Sequence, residues 1–213
     1  MDTSPEKALE RLSVRVIGRE EIAAKAPYGE VIEALRQAFR GGFEAPRRLH
    51  YAIERDAGVA ASLLLMPCWT RAATGAPAGY AGLKTATVIA DNPHHGRPTV
   101  QSSYLLLSSA TGETLAIMDG GEITLRRTAA AAALAADYLA RRDAGTLLMI
   151  GAGALAPHVV RAHAVLRPIR RVLVWNRSPA RAGELATALA AAGIEAVLPQ
   201  SLQAACASAD IVS

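Results

Sequence analysis

The sequence is poor in several kinds of residue, and each shortage excludes a class of protein. Its 213 residues contain only two cysteines, Cys68 and Cys206, whose spacing fits neither a disulfide framework nor a zinc site. The longest uncharged apolar run covers residues 129–136, far short of the ~20 residues that span a bilayer. Aromatic residues make up 4% and the basic residues are scattered, so the net charge of +4 does not indicate nucleic-acid binding. We expect a cytoplasmic protein with reduced thiols, no metal site, no membrane contact and no nucleic-acid partner.

What the chain does contain is typical of a globular protein. Hydrophobic residues make up 51% and charged residues 20%, enough to form one large or two modest domains. Residues 1–12 are polar and partly acidic, which predicts neither a signal peptide nor a transit peptide. Of the 23 basic residues, only Lys7, Lys25 and Lys84 are lysines. A lysine is therefore unusual among the basic residues of this chain, most of which are arginines.

One stretch, residues 146–178, combines a glycine-rich turn with the strands and the helix that a dinucleotide site requires. The apolar run at residues 147–150 has the length and composition of a buried parallel strand. It leads into a G-x-G-x-x-G/A motif and a predicted helix at 154–166, followed by a second strand at 171–175. Glycines allow a tight turn and a close approach of a pyrophosphate to the backbone N–H groups. The alternative is a turn that binds nothing. We predict that a dinucleotide is bound by Gly151, Ala152, Gly153 and Ala154.

The end of the second strand indicates which dinucleotide is bound. An NAD site usually has a carboxylate there, which accepts hydrogen bonds from the ribose 2′-OH. This chain has Asn176, Arg177 and Ser178 instead. Because a guanidinium pairs with a phosphate through two parallel hydrogen bonds, the sequence favours NADP(H), with Arg177 on the 2′-phosphate, over NAD(H). Otherwise Arg177 is a solvated residue at the start of the next helix.

Two patterns divide the chain. Strands separated by turns at residues 83–118 predict an antiparallel meander, whereas strand and helix alternate after residue 146. These patterns predict an α/β protein with an N-terminal α+β domain at 1–120, a connecting helix at 121–145 and a Rossmann-type domain at 146–213. The second half of the Rossmann-type domain is lacking, so we expect the sequence to be a fragment of a longer protein.

Breaker and capping residues predict the limits of several elements. An apolar run at residues 60–66 predicts a buried strand that Pro67 stops. Thr124 is the predicted N-cap of a long alanine-rich helix at 125–142. His94 and His95 lie in a sequence rich in turn formers, with no further ligands at metal-binding spacing, so we predict a surface turn there.

Three cationic side chains are candidates for binding an anionic substrate. Lys84 lies within a predicted strand; a desolvated lysine can lose its proton and an arginine cannot. It could contact a carboxylate or move a proton, or its stem could cover apolar surface. Arg48 lies in an extended segment and could grip a carboxylate or pair with a surface glutamate. Arg127 lies in the first turn of the predicted long helix, where the helix dipole disfavours a cation unless an anion is bound.

These motifs together match a known family. Residues 118–130, MDGGEITLRRTAA, followed by the glycine turn, closely resemble the ornithine cyclodeaminase/μ-crystallin family, whose hallmark is MDG-x-x-(I/L)T-x-x-RTAA ahead of that turn. Leu65-Met66-Pro67, Leu83-Lys84 and Trp175-Asn176-Arg177 are also similar to this family, and the resemblance covers nearly the whole chain.

The resemblance implies site residues and partners. It implies a homodimer whose N-terminal domain binds substrate and forms the dimer, with Arg48, Lys84 and Arg127 as catalytic residues on the substrate carboxylate. Ser103 is at a position where the family often has a threonine near cofactor and substrate, and Thr128 belongs to the RTAA block; we assign both to cofactor binding. The aspartate of the cyclodeaminases falls beyond Ser213.

The resemblance also implies a reaction. Its members include ornithine cyclodeaminases, reductases of cyclic ketimines such as Δ1-pyrroline-2-carboxylate, and alanine dehydrogenases, which all move a hydride at the α-carbon of an amino or imino acid. Because Asn176 and Arg177 look like the NADPH-using reductases, an NADPH-dependent ketimine reductase is our first interpretation. An ornithine cyclodeaminase, which forms proline and ammonia, and a non-catalytic NADP(H)-binding protein are the alternatives. No residue indicates the side chain of the substrate.

Overall fold

The chain forms two compact units. The computed structural model describes residues 14–55, 59–71 and 79–213, so the predicted N-terminal lead-in lies outside the described residues. Unit 1 comprises Met1–Lys25 and Arg40–Ile123, and unit 2 comprises Ala26–Phe39 and Thr124–Ser213. The predicted α/β fold class, with an α+β unit and a Rossmann-type unit, is confirmed. One early helix, however, packs with the Rossmann-type unit although it precedes most of unit 1 in the chain.

Strands and helices follow the predicted order closely. The strands are β1 (Arg15–Ile17), β2 (Phe43–Glu44), β3 (Leu49–Ile53), β4 (Ala61–Thr70), β5 (Tyr80–Val88), β6 (Val100–Ser108), β7 (Thr114–Asp119), β8 (Thr146–Ile150), β9 (Arg171–Trp175), β10 (Glu195–Val197) and β11 (Ile211–Val212). The helices are α1 (Arg19–Lys25), α2 (Tyr28–Phe39), α3 (Gly120–Leu139), α4 (Ala156–Leu166), α5 (Pro179–Ala191) and α6 (Leu202–Ser208), with a short 3-10 helix at Asn92–His95. The exposed His94 and His95 lie in that 3-10 helix.

Unit 1 is built on a mixed sheet. Its strand order is β1-β7-β6-β5-β4-β2, with β3 also paired to β4. The antiparallel meander predicted at residues 83–118 is formed by β5 to β7. Strand β4 extends it antiparallel to β5, whereas β1 pairs with β7 in parallel. Side chains of successive residues point to opposite faces of such a sheet, so each register pair places two side chains on the same face.

The prediction that Pro67 stops the buried strand was wrong. Strand β4 continues through Pro67, which pairs with Leu83 of β5. On its other side, the pairing with β3 ends at Leu65 and the pairing with β2 begins at Trp69. Pro67 therefore lies in a gap of the ladder where no neighbouring strand requires its missing N–H.

Unit 2 contains a parallel sheet in the order β10-β9-β8-β11. Numbered from β8, this order is 3-2-1-4, the beginning of a doubly wound nucleotide-binding sheet. Leu147, Val172 and Val174 are fully buried in a cluster that includes residues of α2, α3, α4 and α5. Leu148 and Leu173 instead pack with Ala205 of α6. Burial on both faces explains the continuous apolar runs in the sequence.

A buried arginine fixes the C-terminal end of α3. The Arg167 side chain donates to the backbone carbonyls of Asp137 at 2.7 Å and Arg141 at 2.9 Å, and to the Asp137 carboxylate at 2.7 Å. Asp137 also accepts from Arg36 of α2 at 2.7 Å. Hydrogen bonds from Arg167 and Arg36 lower the pKa of Asp137 below its ordinary value. These bonds satisfy carbonyls that a helix end leaves without partners.

The described part of the chain contains neither a membrane-spanning helix nor a group of metal ligands. None of its helices is both long and apolar enough to cross a bilayer. Within the same residues, histidine, cysteine, aspartate and glutamate side chains do not gather into a group that could hold a metal ion.

Candidate functional site

The glycine motif forms a tight turn between β8 and α4. Gly151 has φ of 108°, a left-handed conformation that a residue with a Cβ rarely adopts. Its N–H donates to the carbonyl of Trp175 at 2.8 Å, which joins the turn to the end of β9. A Cβ placed on Gly153 would have no atom within 4 Å, so the space in front of that backbone is open. The turn thus has the two features that a close-lying pyrophosphate requires.

Helix α4 begins directly behind this turn. It starts at Ala156, two residues later than predicted, and its N-cap is Leu155, whose apolar side chain makes no capping bond. Pro157 lies in the first turn, where a missing N–H costs nothing. The N–H groups of Ala156 and His158 donate to the carbonyls of Gly153 and Leu155, so the backbone of the glycine turn before Ala156 is the part that could meet an anion.

The segment after β9 is ordered by one of the predicted residues. The Asn176 side-chain amide donates to the carbonyl of Ser178 at 3.1 Å, and α5 begins at the next residue, with no acidic residue in its first turn. Arg177 lies between them with an exposed side chain. No carboxylate in the first turn of α5 therefore competes with an anionic ligand for the Arg177 guanidinium.

The MDG sequence forms the junction between β7 and α3. The Asp119 carboxylate accepts from the N–H of Glu122 at 2.7 Å and caps the helix. A Cβ on Gly120 would lie 2.8 Å from the carbonyl carbon of Ser102, so only glycine fits against β6. The predicted start at Leu125, with Thr124 as the cap, was therefore wrong, because this cap and this contact let the helix begin at Gly120.

Lys84 lies in a row of side chains across the sheet of unit 1. It is paired with Met66 of β4 and Tyr104 of β6, and Tyr104 is paired with Met118 of β7. Arg48 is exposed and lies just before β3, next to the Leu49–Leu65 pair at which the β3–β4 ladder ends.

Comparison with known proteins identifies the family. The model of the ornithine cyclodeaminase/mu-crystallin family matches residues 9–213. The chain belongs to this family. The resemblance drawn from the MDG and RTAA residues is thereby confirmed, and the described glycine turn is the one that follows that block.

Three similar proteins illustrate the activities within the ornithine cyclodeaminase/mu-crystallin family. A Δ1-pyrroline-2-carboxylate reductase of Colwellia psychrerythraea is 31% identical over 174 residues, which is 81% of this chain and 53% of the relative. A Thermococcus litoralis Δ1-pyrroline-2-carboxylate reductase, solved with NADH and L-proline, has a TM-score of 0.80 and 29% identity over 93% of this chain and 61% of its own. An archaeal alanine dehydrogenase dimer with bound NAD has a TM-score of 0.76 and 29% identity, and the match covers 90% of this chain and 57% of the dehydrogenase chain. The chain thus spans little more than half the length of these family members.

The remaining predicted residues fall in both units. Arg127 is exposed and Thr128 is half-buried; both belong to α3 in unit 2. Because α3 begins at Gly120, Arg127 does not lie in the first turn, and the helix-dipole argument for it was wrong. Ser103 pairs with Thr85, which sets it on the opposite face from Lys84, while Ser102 shares the Lys84 face. The roles of these residues remain predictions.

Sequence reasoning missed the side chains around Lys84. The Tyr104 hydroxyl lies 3.7 Å from Cys68 Sγ, and burial raises the pKa of Tyr104 to about 12. A Cβ on Gly82 would lie 2.6 Å from Tyr104 Cζ. Tyr104 is therefore a neutral phenol folded over Gly82 beside Lys84. A glycine inside a predicted strand was the available signal, since it often marks a close approach.

We predict that Gly120→Ala lowers the stability of the protein. The added Cβ would meet the Ser102 backbone, and such overpacking costs about 1–3 kcal/mol. Gly183→Ala is the matched control, because its Cβ would meet nothing within 4 Å in helix α5. Chemical denaturation measures both variants. Equal stability of the two variants would contradict the steric account of the MDG motif.

Proposed function

We propose that this protein is an NADPH-dependent reductase of cyclic ketimine carboxylates of the Δ1-pyrroline-2-carboxylate type. The observation that carries the proposal is the open glycine turn behind β8, in a family whose named members include such reductases. The turn fits a dinucleotide, since Gly153 leaves space for a pyrophosphate to approach the backbone of the turn in front of α4. When bound, the cofactor supplies the hydride that reduces the imine carbon.

The protein's own residues bind and orient the substrate in this proposal. Lys84, on one face of the unit 1 sheet, neutralises the carboxylate, and Arg48 and Arg127 are the two other cations proposed for this role. Lys84 or a water molecule gives a proton to the imine nitrogen, which becomes the amine of the product. Holding the α-carbon in a fixed orientation removes translational and rotational entropy that the reaction would otherwise lose.

Two other activities make different predictions. An ornithine cyclodeaminase releases ammonia from ornithine with no net change of the cofactor, whereas the reductase consumes NADPH in proportion to product. A non-catalytic protein binds NADP(H) at micromolar concentration and turns over neither substrate. Measuring NADPH oxidation with Δ1-pyrroline-2-carboxylate, and ammonia release from ornithine, separates the three. Ammonia release without NADPH oxidation would overturn the reductase proposal.

The Lys84→Met variant tests the substrate role of the lysine. Methionine keeps the length and apolar stem but removes the charge, so we expect kcat/KM to fall about 100-fold, or ~2.7 kcal/mol. Cofactor affinity should not change, because the turn belongs to unit 2. Lys25→Met, which removes an exposed charge paired with Glu21 at 3.2 Å, is the control and should keep full activity. Full activity of Lys84→Met would exclude the role.

The preference for NADP(H) is a second part of the proposal. Its support is the exposed Arg177 after β9, together with the lack of an acidic residue in the first turn of α5. The two related structures contain NADH and NAD, so the preference depends on this local chemistry. A guanidinium here would pair with the 2′-phosphate.

We therefore expect Arg177→Ala to weaken NADPH binding about 10- to 100-fold, the usual value of hydrogen bonds to charged groups. NADH binding should change little, because NADH carries no 2′-phosphate. Arg142→Ala, at an exposed arginine beyond the end of α3, is the control. Fluorescence titration of the unmodified protein and both variants with both cofactors gives the six dissociation constants needed. Tighter binding of NADH than NADPH by the unmodified protein would refute the preference.

A homodimer is the proposed assembly, and one sheet face of unit 1 is its proposed interface. Val16, Leu49, Tyr51, Ile53 and Ile117 lie on this face, and each is between 40% and 74% exposed. A second copy of the chain is the proposed occupant, since the related alanine dehydrogenase is a dimer and exposed apolar faces of this kind mark contacts.

Tyr51→Glu should convert the dimer to a monomer, because it sets a charge in the centre of an apolar interface. Tyr80→Glu is the matched control. Tyr80 is similarly exposed, 54% against 50%, but its register pair with Ser108 sets it on the opposite face. Light scattering after size-exclusion chromatography measures the mass. A monomeric unmodified protein, or a dimeric Tyr51→Glu, would overturn the assignment.

A further inference from the structure

A cluster of side chains joins three helices of unit 2 near the start of α4. The hydroxyl of Tyr28, the first residue of α2, lies 2.7 Å from Nδ1 of His158, and the two rings meet edge-on with centroids 6.3 Å apart. Arg126 of α3 lies over the Tyr28 ring, with Cζ 5.1 Å from its centroid. Arg126 Nη1 also donates to the carbonyl of Ala26 at 2.7 Å. Tyr28 is thus held by α3 and in turn holds α4.

His158 connects this cluster to the glycine turn. It lies in the first turn of α4, and its backbone N–H donates to the carbonyl of Leu155 at 3.1 Å. One step earlier, the Ala156 N–H donates to the carbonyl of Gly153 at 3.0 Å. Because the helix lacks a side-chain cap at Leu155, its first turn depends on other contacts for its position. The His158 side chain supplies such a contact.

The same cluster connects the turn to the RTAA block. Arg126 directly precedes Arg127 and Thr128 in α3. Its cation over the Tyr28 ring and its bond to Ala26 fix α3 against the start of α2. The predicted cofactor residues of α3 and the glycine turn are therefore held to a common anchor, Tyr28.

We propose that Tyr28 is a positioning residue for the dinucleotide. Through His158 it holds the first turn of α4, and with it the Gly151–Gly153 backbone, in the geometry that accepts the pyrophosphate. Pre-organised N–H groups bind more tightly because their ordering does not have to occur on binding. The inference rests on the proposed function, since it concerns the same cofactor turn.

Tyr28→Phe tests the proposal with a minimal change, because it keeps the ring beneath Arg126 and removes the hydroxyl that meets His158. We expect NADPH and ADP-ribose to bind about fivefold more weakly, within the range of one net hydrogen bond. ADP-ribose carries the pyrophosphate without the nicotinamide, so weaker binding of ADP-ribose would show that the effect does not involve the nicotinamide. Calorimetry on the whole protein, well below its unfolding temperature, gives these constants.

Tyr138→Phe is the matched control. Tyr138 also lies beneath an arginine, with Arg36 Cζ 5.1 Å from its ring centroid, but it is near the C-terminal end of α3. The same loss of a hydroxyl there should leave both dissociation constants unchanged. A purely structural hydroxyl at position 28 would lower the unfolding temperature and leave the dissociation constants at the unmodified values.

Variants of His158 test whether Tyr28 acts through it. His158→Ala should weaken binding as much as Tyr28→Phe does, and the double variant should be no weaker than either single variant. His158→Asn sets an amide oxygen close to the position of Nδ1, where it accepts from the Tyr28 hydroxyl, so it should restore binding. It should not restore binding when Tyr28 is also phenylalanine.

Failure of this inference differs from failure of the proposed function. If the unmodified protein binds neither NADPH nor NADH, the proposed function is wrong and the positioning role falls with it. If it binds cofactor and Tyr28→Phe binds equally well, only the positioning role is wrong. Additive losses in the double variant would also overturn it, because they would mean that Tyr28 and His158 act separately.

Discussion

The backbone hydrogen bond from Gly151 to Trp175 is the contact on which the geometry of the glycine turn depends. It holds the turn after β8 against the end of β9 at 2.8 Å, and it requires the positive φ of Gly151, which favours a glycine. Trp175 directly precedes the Asn176–Arg177–Ser178 segment. The bond thus continues the β8–β9 ladder and joins the turn proposed for the pyrophosphate to the segment that carries the cation proposed for the 2′-phosphate.

At the MDG motif, the close contact between Gly120 and β6 decides where α3 begins. Gly120 lies against the backbone of Ser102, so α3 can begin immediately after β7, capped by Asp119. The helix then runs without interruption from the last residues of unit 1 into unit 2. Its early start moves the RTAA block beyond the first turn, where Arg126 reaches Ala26 and Tyr28. The MDG motif thus begins the helix that carries Arg126 to its contacts with Ala26 and Tyr28.

Local patterns predicted what depends on local physics. The apolar runs of β8 and β9, the glycine turn and the meander follow from periodicity and turn chemistry. The effect of Pro67 was predicted wrongly because it depends on where the pairing of β4 with β2 and with β3 ends. Residues outside the sequence neighbourhood of Pro67 decide this. The start of α3 depends on Ser102, and the position of Tyr104 depends on Gly82. No window of sequence around these residues contains the partner that decides their structure.

The division into two units separates the residues proposed to bind the cofactor from those proposed to bind the substrate. The glycine turn and Arg177 belong to unit 2, whereas Lys84, Arg48 and Tyr104 belong to unit 1. In the proposed function, cofactor choice is therefore decided by residues that do not line the Lys84 face, and substitutions on that face leave the turn intact. A Δ1-pyrroline-2-carboxylate reductase and an alanine dehydrogenase are both 29% identical to this chain, and their names give them different substrates. In the proposed function, the side chains around the Lys84 row, rather than the glycine turn, decide which substrate is accepted.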